Sequence, residues 1–268
     1  MTRAAACQGA TGRPISRARR RGAFPGAGAT VDILNLLKIK LFCDGARIDD
    51  ITAMASHAWV KGFTTNPTLM RLAGVTHYEA FAREVLEVVP DRPVSFEVFA
   101  DDLDEMARQG RLIAGWGPNV NVKIPVTNTR REFTGPVIEA LSREGVIVNV
   151  TAIMTLEQVD MIAQVLAEET PAIVSVFAGR IADTGRDPVP QMASSLERLQ
   201  SRPKAELLWA SPRELLNLFQ ADAIGCHILT ATPDILGKLA LVGKDLDDYS
   251  LETVKMFDTA ARASGFAL

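Results

Sequence analysis

From residue 39 onward the chain alternates short β-rich runs with longer amphipathic stretches eight times, and few folds accommodate that count. The strand candidates are Ile39–Asp44, Val60–Asn66, Pro93–Phe99, Val120–Val126, Ile147–Ile153, Ala172–Phe177, Glu206–Ser211 and Cys226–Thr230. Between them, segments such as His77–Val89, Leu103–Gly115, Leu156–Glu169 and Pro212–Ala221 carry apolar residues three and four apart, the spacing of one helix face. Eight β-α units in about 230 residues predict an α/β fold, a TIM-type (β/α)8 barrel. It is expected as a single domain over residues 37–268, closing with a C-terminal helix. A Rossmann sheet would use fewer strands, and no GxGxxG follows the first strand.

A chain of 268 residues with 47% hydrophobic content can bury a large core. Its net charge of −3 gives no whole-chain attraction to nucleic acid or to an acidic membrane, so neither is an expected partner. Cys7, Cys43 and Cys226 are odd in number and form no CxxC pair, which argues against a disulfide framework and for a reducing, cytoplasmic setting. His57, His77 and His227 form no ligand pair, and no metal is expected. Residues 1–36 are different: six arginines, Arg3 to Arg21, sit among Ala, Gly and Pro with no acid before Asp32. Such a stretch has no apolar face and predicts a disordered basic extension. Pro14, Pro25 and the glycines argue against a transit helix, and a secretory apolar region is missing. No run of 18 apolar residues suggests a membrane span.

Alternate residues of a barrel strand point inward. On one parity these are Asp44; Thr64 and Asn66; Ser95 and Glu97; Asn121 and Lys123; Asn149 and Thr151; Ser175; and Ser211. A structural core would carry Val, Ile and Leu there, and barrel enzymes build their sites at the C-terminal ends of strands. Lys123 stands out, within Val120-Asn121-Val122-Lys123-Ile124-Pro125-Val126. Burial disfavours an ammonium and can lower its pKa by up to about 3–5 units, the condition for a lysine amine to attack a carbonyl. The plainer reading is an ion-paired lysine in the barrel wall.

Four segments in order carry a resemblance: Gly62-Phe63-Thr64-Thr65-Asn66-Pro67-Thr68-Leu69, Val122-Lys123-Ile124-Pro125, Ser175-Val176-Phe177-Ala178-Gly179-Arg180-Ile181 and Ala210-Ser211-Pro212-Arg213. Through them residues 39–266 resemble the short transaldolases, a group that includes the fructose-6-phosphate aldolases. The resemblance implies that Lys123 forms a Schiff base with a ketose phosphate, that Asp44 is the base, and that Glu97 and Thr151 hold the water serving proton transfer. It implies no cofactor. It also implies transfer of a dihydroxyacetone unit from sedoheptulose 7-phosphate or fructose 6-phosphate to glyceraldehyde 3-phosphate or erythrose 4-phosphate, in the pentose phosphate pathway.

Thr64, Asn66, Asn149 and Ser175 are then expected to bind the three-carbon fragment, and Arg180, Arg213 and Ser211 the phosphate. Arg186 is an alternative second phosphate ligand, and Arg180-Ile181-Ala182-Asp183-Thr184-Gly185-Arg186-Asp187 reads equally as a self-paired charged loop. Asp44, before Gly45, reads as a turn or cap residue when the resemblance is set aside. Among relatives the aldolase type carries a tyrosine and a glutamine where this chain has Phe177 and Glu97, which favours transfer over release of free dihydroxyacetone. Release remains the alternative, and a non-catalytic phosphosugar-binding barrel is the reading from another class. A homo-oligomer is expected, with amphipathic Leu251–Gly265 covering the barrel or a neighbouring subunit.

Overall fold

The computed structural model describes Leu34 and Leu36–Phe266, so Cys7 and nearly all of the expected extension lie outside the described residues. Eight parallel strands close in chain order: β1 (Lys40–Asp44), β2 (Val60–Thr64), β3 (Val94–Glu97), β4 (Val120–Pro125), β5 (Val148–Ile153), β6 (Ala172–Val176), β7 (Ala205–Trp209) and β8 (Ile228–Ala231). The interleaved helices are α1 (Ile48–Ala55), α2 (Pro67–Leu72), α3 (Tyr78–Val88), α4 (Leu103–Ala114), α5 (Gly135–Arg143), α6 (Leu156–Val165), α7 (Ala178–Ala182), α8 (Pro188–Arg198), α9 (Leu216–Ala223) and α10 (Pro233–Gly237). The expected (β/α)8 barrel is therefore present. Of the described residues, those up to Val242 form one unit and those from Gly243 onward belong to a second. Within the second, α11 (Leu246–Ser264) starts at Asp245, whose carboxylate accepts from the Asp247 and Asp248 N–H groups, and stops at Gly265 with φ 64°. Among the described residues no helix is long and apolar enough to cross a membrane.

Strand register sorts the two faces of the wall. Phe42, Ile173, Leu208, Ala210 and Ile228 point inward and pack with Phe177 as a small interior cluster. Their outward neighbours, including Leu41, Phe63, Phe96, Ile124, Val174 and Trp209, join the helices in the main core. The inward positions of β2 to β5 are polar instead: Thr64, Ser95, Asn121, Lys123, Asn149 and Thr151 are all buried. Space for the Phe42 ring comes from Gly62 on β2, where a Cβ would lie 2.5 Å from a ring carbon. Strands β1, β6 and β8, which supply much of the apolar cluster, also bring the polar Asp44, Ser175 and Thr230 to the interior.

Two differences from the sequence reading bear on the rim. The helix expected from Pro212 begins at Leu216, because the Asn217 carboxamide oxygen accepts from the Arg213 and Glu214 N–H groups and holds that segment as a loop. Ser211 does not keep inward parity. Leu208 and Ala210 occupy the inward positions of β7, and Ser211 lies past the strand end with φ 59°.

Candidate active site

Lys123 lies on β4 in register with Glu97 on β3 and Asn149 on β5, so all three face the same interior. Its Nζ donates to the Thr65 carbonyl at 2.8 Å and stands 3.2 Å from Glu97 Oε2. The side chains of Lys123 and Glu97 are only 8% and 17% exposed. An isolated charge at such depth is costly, and these two compensate each other. The Lys123 side chain is thus partnered by a carboxylate, as the plainer sequence reading allowed.

Tyr78, reaching in from α3, fixes the backbone beneath Glu97. Its hydroxyl accepts from the Glu97 N–H at 2.8 Å and donates to the Glu97 carbonyl at 3.0 Å. Burial pushes the phenol upward, so the group stays protonated and can do both. The ring is held edge-on by Phe96 and Trp116, with centroids 6.2 and 5.1 Å away, and against Phe99 at 4.5 Å.

Asp44 ends β1 beside Thr64, whose Oγ1 donates to Asp44 Oδ1 at 2.8 Å. It caps no helix; the residue before α1 is Arg47. Burial raises the Asp44 pKa, and the Glu97 charge raises it further, whereas the Lys123 ammonium and the Thr64 hydrogen bond pull it down. Asn66 caps α2 by accepting from the Leu69 N–H at 3.0 Å, with Pro67 beginning the helix. That orientation aims the Asn66 Nδ2 at Asp44 Oδ2, 3.5 Å away.

A second polar chain crosses the interior: Ser175 Oγ donates to Asn149 Oδ1 at 2.7 Å, and Asn149 Nδ2 donates to Ser95 Oγ at 3.0 Å. Thr151 is buried one inward step above Asn149, level with Pro125. Just beyond it Ala152 takes φ 62°, and the β5–β6 register shifts between Val150 and Ile153. A left-handed non-glycine residue at a strand bulge stores strain, and such features collect at functional rims.

At the β6–β7 rim, Arg180 is exposed on α7 with its guanidinium 5.8 Å from the centroid of the Phe177 ring. Arg213 forms a bidentate pair with Asp183, Nε to Oδ1 at 2.9 Å and Nη2 to Oδ2. The charged loop is therefore not self-paired through Asp183. The two loops touch at Gly179, where a Cβ would lie 1.5 Å from the Ser211 carbonyl oxygen; only glycine permits that approach. Arg186 donates to the Thr184 hydroxyl at 2.8 Å and shares a cavity of about 460 Å³ with Arg180, Met154 and Gln191. Arg143 is an exposed partner of Glu139 within α5.

Other nucleophiles and ligands contribute little. Cys43 and Cys226 are buried, and burial pushes both thiols up to about 12, so neither is a thiolate near neutrality. Among the described residues no group of three or more His, Cys, Asp or Glu side chains could hold a metal ion.

A family model described as transaldolase/fructose-6-phosphate aldolase matches residues 41–267. The chain belongs to this family. Among curated relatives in the family's range, "Probable transaldolase 2" of Listeria monocytogenes serovar 1/2a is 34% identical over 202 residues, covering 75% of this chain and 88% of the relative. "Probable transaldolase" of Herpetosiphon aurantiacus is 32% identical over 216 residues, covering 80% and 92%. A solved structure of a "putative phosphonomutase" from Burkholderia cenocepacia J2315 superposes with a TM-score of 0.52 at 12% identity, covering 87% of this chain and 99% of that one, and speaks to the barrel fold alone. The protein is an enzyme of the transaldolase/fructose-6-phosphate aldolase family. Sequence reasoning did not single out Thr65, Tyr78 or Thr230 in the interior, or Asp183 at the rim. A tyrosine one helix before an inward glutamate is the faint signal that could have pointed to Tyr78.

Proposed function

We propose that this enzyme is a transaldolase moving a dihydroxyacetone unit from sedoheptulose 7-phosphate or fructose 6-phosphate to glyceraldehyde 3-phosphate or erythrose 4-phosphate, as in the pentose phosphate pathway. The observation that carries the reading is the Lys123 Nζ, set 3.2 Å from the Glu97 carboxylate and 2.8 Å from the Thr65 carbonyl inside the barrel that also holds Asp44. Glu97 accepts the Lys123 proton, and the free amine adds to the ketose carbonyl. Loss of water from the carbinolamine, with the proton supplied through Glu97 and a water held with Thr151, leaves an iminium. Asp44 then takes the proton from the hydroxyl on the far carbon of the bond to be cleaved, the carbon that becomes the aldehyde. That bond breaks, the aldose phosphate departs, and the electron pair passes into the iminium as an enamine. An acceptor aldehyde reverses these steps, and water releases the new ketose from Lys123. Nothing in the sequence of steps calls for a cofactor.

Asn66, Asn149 and Ser175 suit the hydroxyls of the bound three-carbon unit, with Thr64 orienting Asp44; such positioning can supply several kcal/mol of a barrier. Arg180 and Arg213, with Ser211, suit the phosphate, their planar guanidinium groups matching its oxygens. Phe177 faces the interior with no hydroxyl to place a hydrolytic water, which favours transfer over release. Fructose 6-phosphate supplied with and without erythrose 4-phosphate tests the reading. Transfer should exceed release of free dihydroxyacetone by a wide margin, and Phe177→Tyr should increase release. Rapid release without acceptor would assign the chain to the aldolase side of its family.

A further inference from the structure

A hydroxyl carries one proton, and this limit orders the hydrogen bonds behind Asp44. Thr64 Oγ1 gives its proton to Asp44 Oδ1 at 2.8 Å, so it can only accept from its other close neighbour. That neighbour is Thr230 Oγ1, 2.6 Å away on β8, where the barrel closes against β1. Thr230 is buried at 6% exposure, in register with Phe42 and one inward step below Asp44.

Resting on the proposed base role of Asp44, we propose that Thr230 is a positioning residue for the reaction, donating through Thr64 to hold the Asp44 carboxylate ionised and aimed at the substrate hydroxyl. The chain Thr230 to Thr64 to Asp44 is polarised in one direction, and each donated bond strengthens the next. Thr64 alone could rotate its hydroxyl toward other acceptors; with Thr230 donating to it, the proton is committed to Asp44. When Asp44 takes up the substrate proton, the same chain can reverse, with Asp44 donating to Thr64 and Thr64 to Thr230. Thr230 gains or loses no proton overall.

The charged groups that bear on Asp44 are Lys123 on β4, which favours its ionised form, and Glu97 on β3, which opposes it. Asn66 adds an amide from the loop after β2 at 3.5 Å. Cys43, next to Asp44 on β1, is a buried thiol pushed up to about 12 and stays neutral through the range of interest. Against this background the threonine chain favours the ionised carboxylate, and its loss moves the acid limb of the pH–rate profile upward.

The test uses the full chain with fructose 6-phosphate and erythrose 4-phosphate. Thr230→Val replaces the hydroxyl with a methyl of similar shape; kcat should fall roughly tenfold while KM changes little, as expected for one buried hydrogen bond. The acid limb should move up by about half a unit or more, and borohydride should still trap the Schiff base on Lys123, showing that the barrel and its lysine are intact. Thr230→Ser, which keeps the hydroxyl, should restore both kcat and the limb. Thr230→Ala, which puts no methyl against Thr64, should repeat the shift if the valine variant folds poorly. Unchanged kcat and acid limb in Thr230→Ala or Thr230→Val would overturn the proposal, as would a serine variant as impaired as the valine one. Asp44→Ala separates the two readings: if it keeps wild-type turnover, the base assignment itself fails whatever Thr230 does.

Discussion

The interior cluster around Lys123 and the arginine rim beyond β6 and β7 are built in opposite ways. In the interior, polar side chains are buried and largely satisfied by one another: Lys123 with Glu97 and Thr65, Asp44 with Thr64, Ser175 with Asn149 and Asn149 with Ser95. At the rim, Arg180 is exposed, and the paired Arg213 and Asp183 side chains are about half exposed, at 48% and 52%. A buried hydrogen bond is expensive to break because a partner is left unsatisfied, whereas an exposed ion pair is worth about 0–1 kcal/mol. Interior substitutions that remove a hydrogen-bonding group should therefore lose chemistry, whereas the rim should tolerate substitution without loss of structure while losing affinity for phosphate. In the proposed reaction, one region holds the reacting atoms in a fixed geometry and the other holds the part of the substrate that does not react.

The sharpest break in that comparison is Asp44→Asn. It keeps the shape and the Thr64 contact but cannot take a proton, so turnover should drop by about 10² to 10⁴. The same change should raise stability. The folded-state pKa of Asp44 lies above its unfolded value, so the folded protein binds more protons in the window between them and wild type loses stability as pH rises through it. The asparagine variant has no such loss; its melting-temperature advantage should be present near neutrality and shrink as pH falls below the ordinary carboxylate range. A variant that is both inactive and less stable at neutral pH would contradict the burial argument.

At the rim the expected loss is smaller. Arg180→Ala and Arg213→Ala should each lower kcat/KM for phosphorylated donors about tenfold or more, the value of a charge-assisted hydrogen bond of about 1.5–3 kcal/mol, with non-phosphorylated donors little affected. Melting temperatures should hardly change. Arg186→Ala reads the alternative ligand in the same assay: a loss there equal to that of Arg180→Ala, with Arg213→Ala silent, would move the clamp into the cavity that Arg186 lines.

The smallest effect is expected behind the interior cluster. Tyr78→Phe removes two hydrogen bonds to the Glu97 backbone and nothing from the reacting groups. Turnover should fall several-fold through a less well held Glu97, with stability down by about 1–3 kcal/mol for the unsatisfied backbone groups. Denaturant unfolding checks the second figure. A variant with full activity and full stability would show that the backbone groups find other partners.

Much of this was legible in the chain because strand period and strand ends are local signals. Strand limits shift by at most a few residues, as where β2 stops at Thr64 rather than Asn66, since Asn66 is recruited as the α2 cap. Lys123 and Glu97 could be placed in one interior because each is a polar residue on inward parity of a strand, and β3 and β4 are neighbours in any such barrel. Thr230 could not be linked to Thr64, because 166 residues separate them and only barrel closure brings β8 against β1. Asp183 and Arg213 illustrate the same limit: charge alone suggested a loop paired with itself, while the geometry at Gly179 carries the β7 loop onto α7 instead. Ser211 failed for a different reason, since parity arguments stop at the residue where a strand ends.

The central claim is that Lys123 becomes covalently bound to the donor during turnover. Borohydride added with fructose 6-phosphate, followed by peptide mass spectrometry, tests it directly. The account predicts loss of activity and a reduced three-carbon adduct on the peptide carrying Lys123, abolished in Lys123→Ala. An adduct on Lys40, Lys61 or Lys238 instead, or an active Lys123→Ala enzyme, would contradict it.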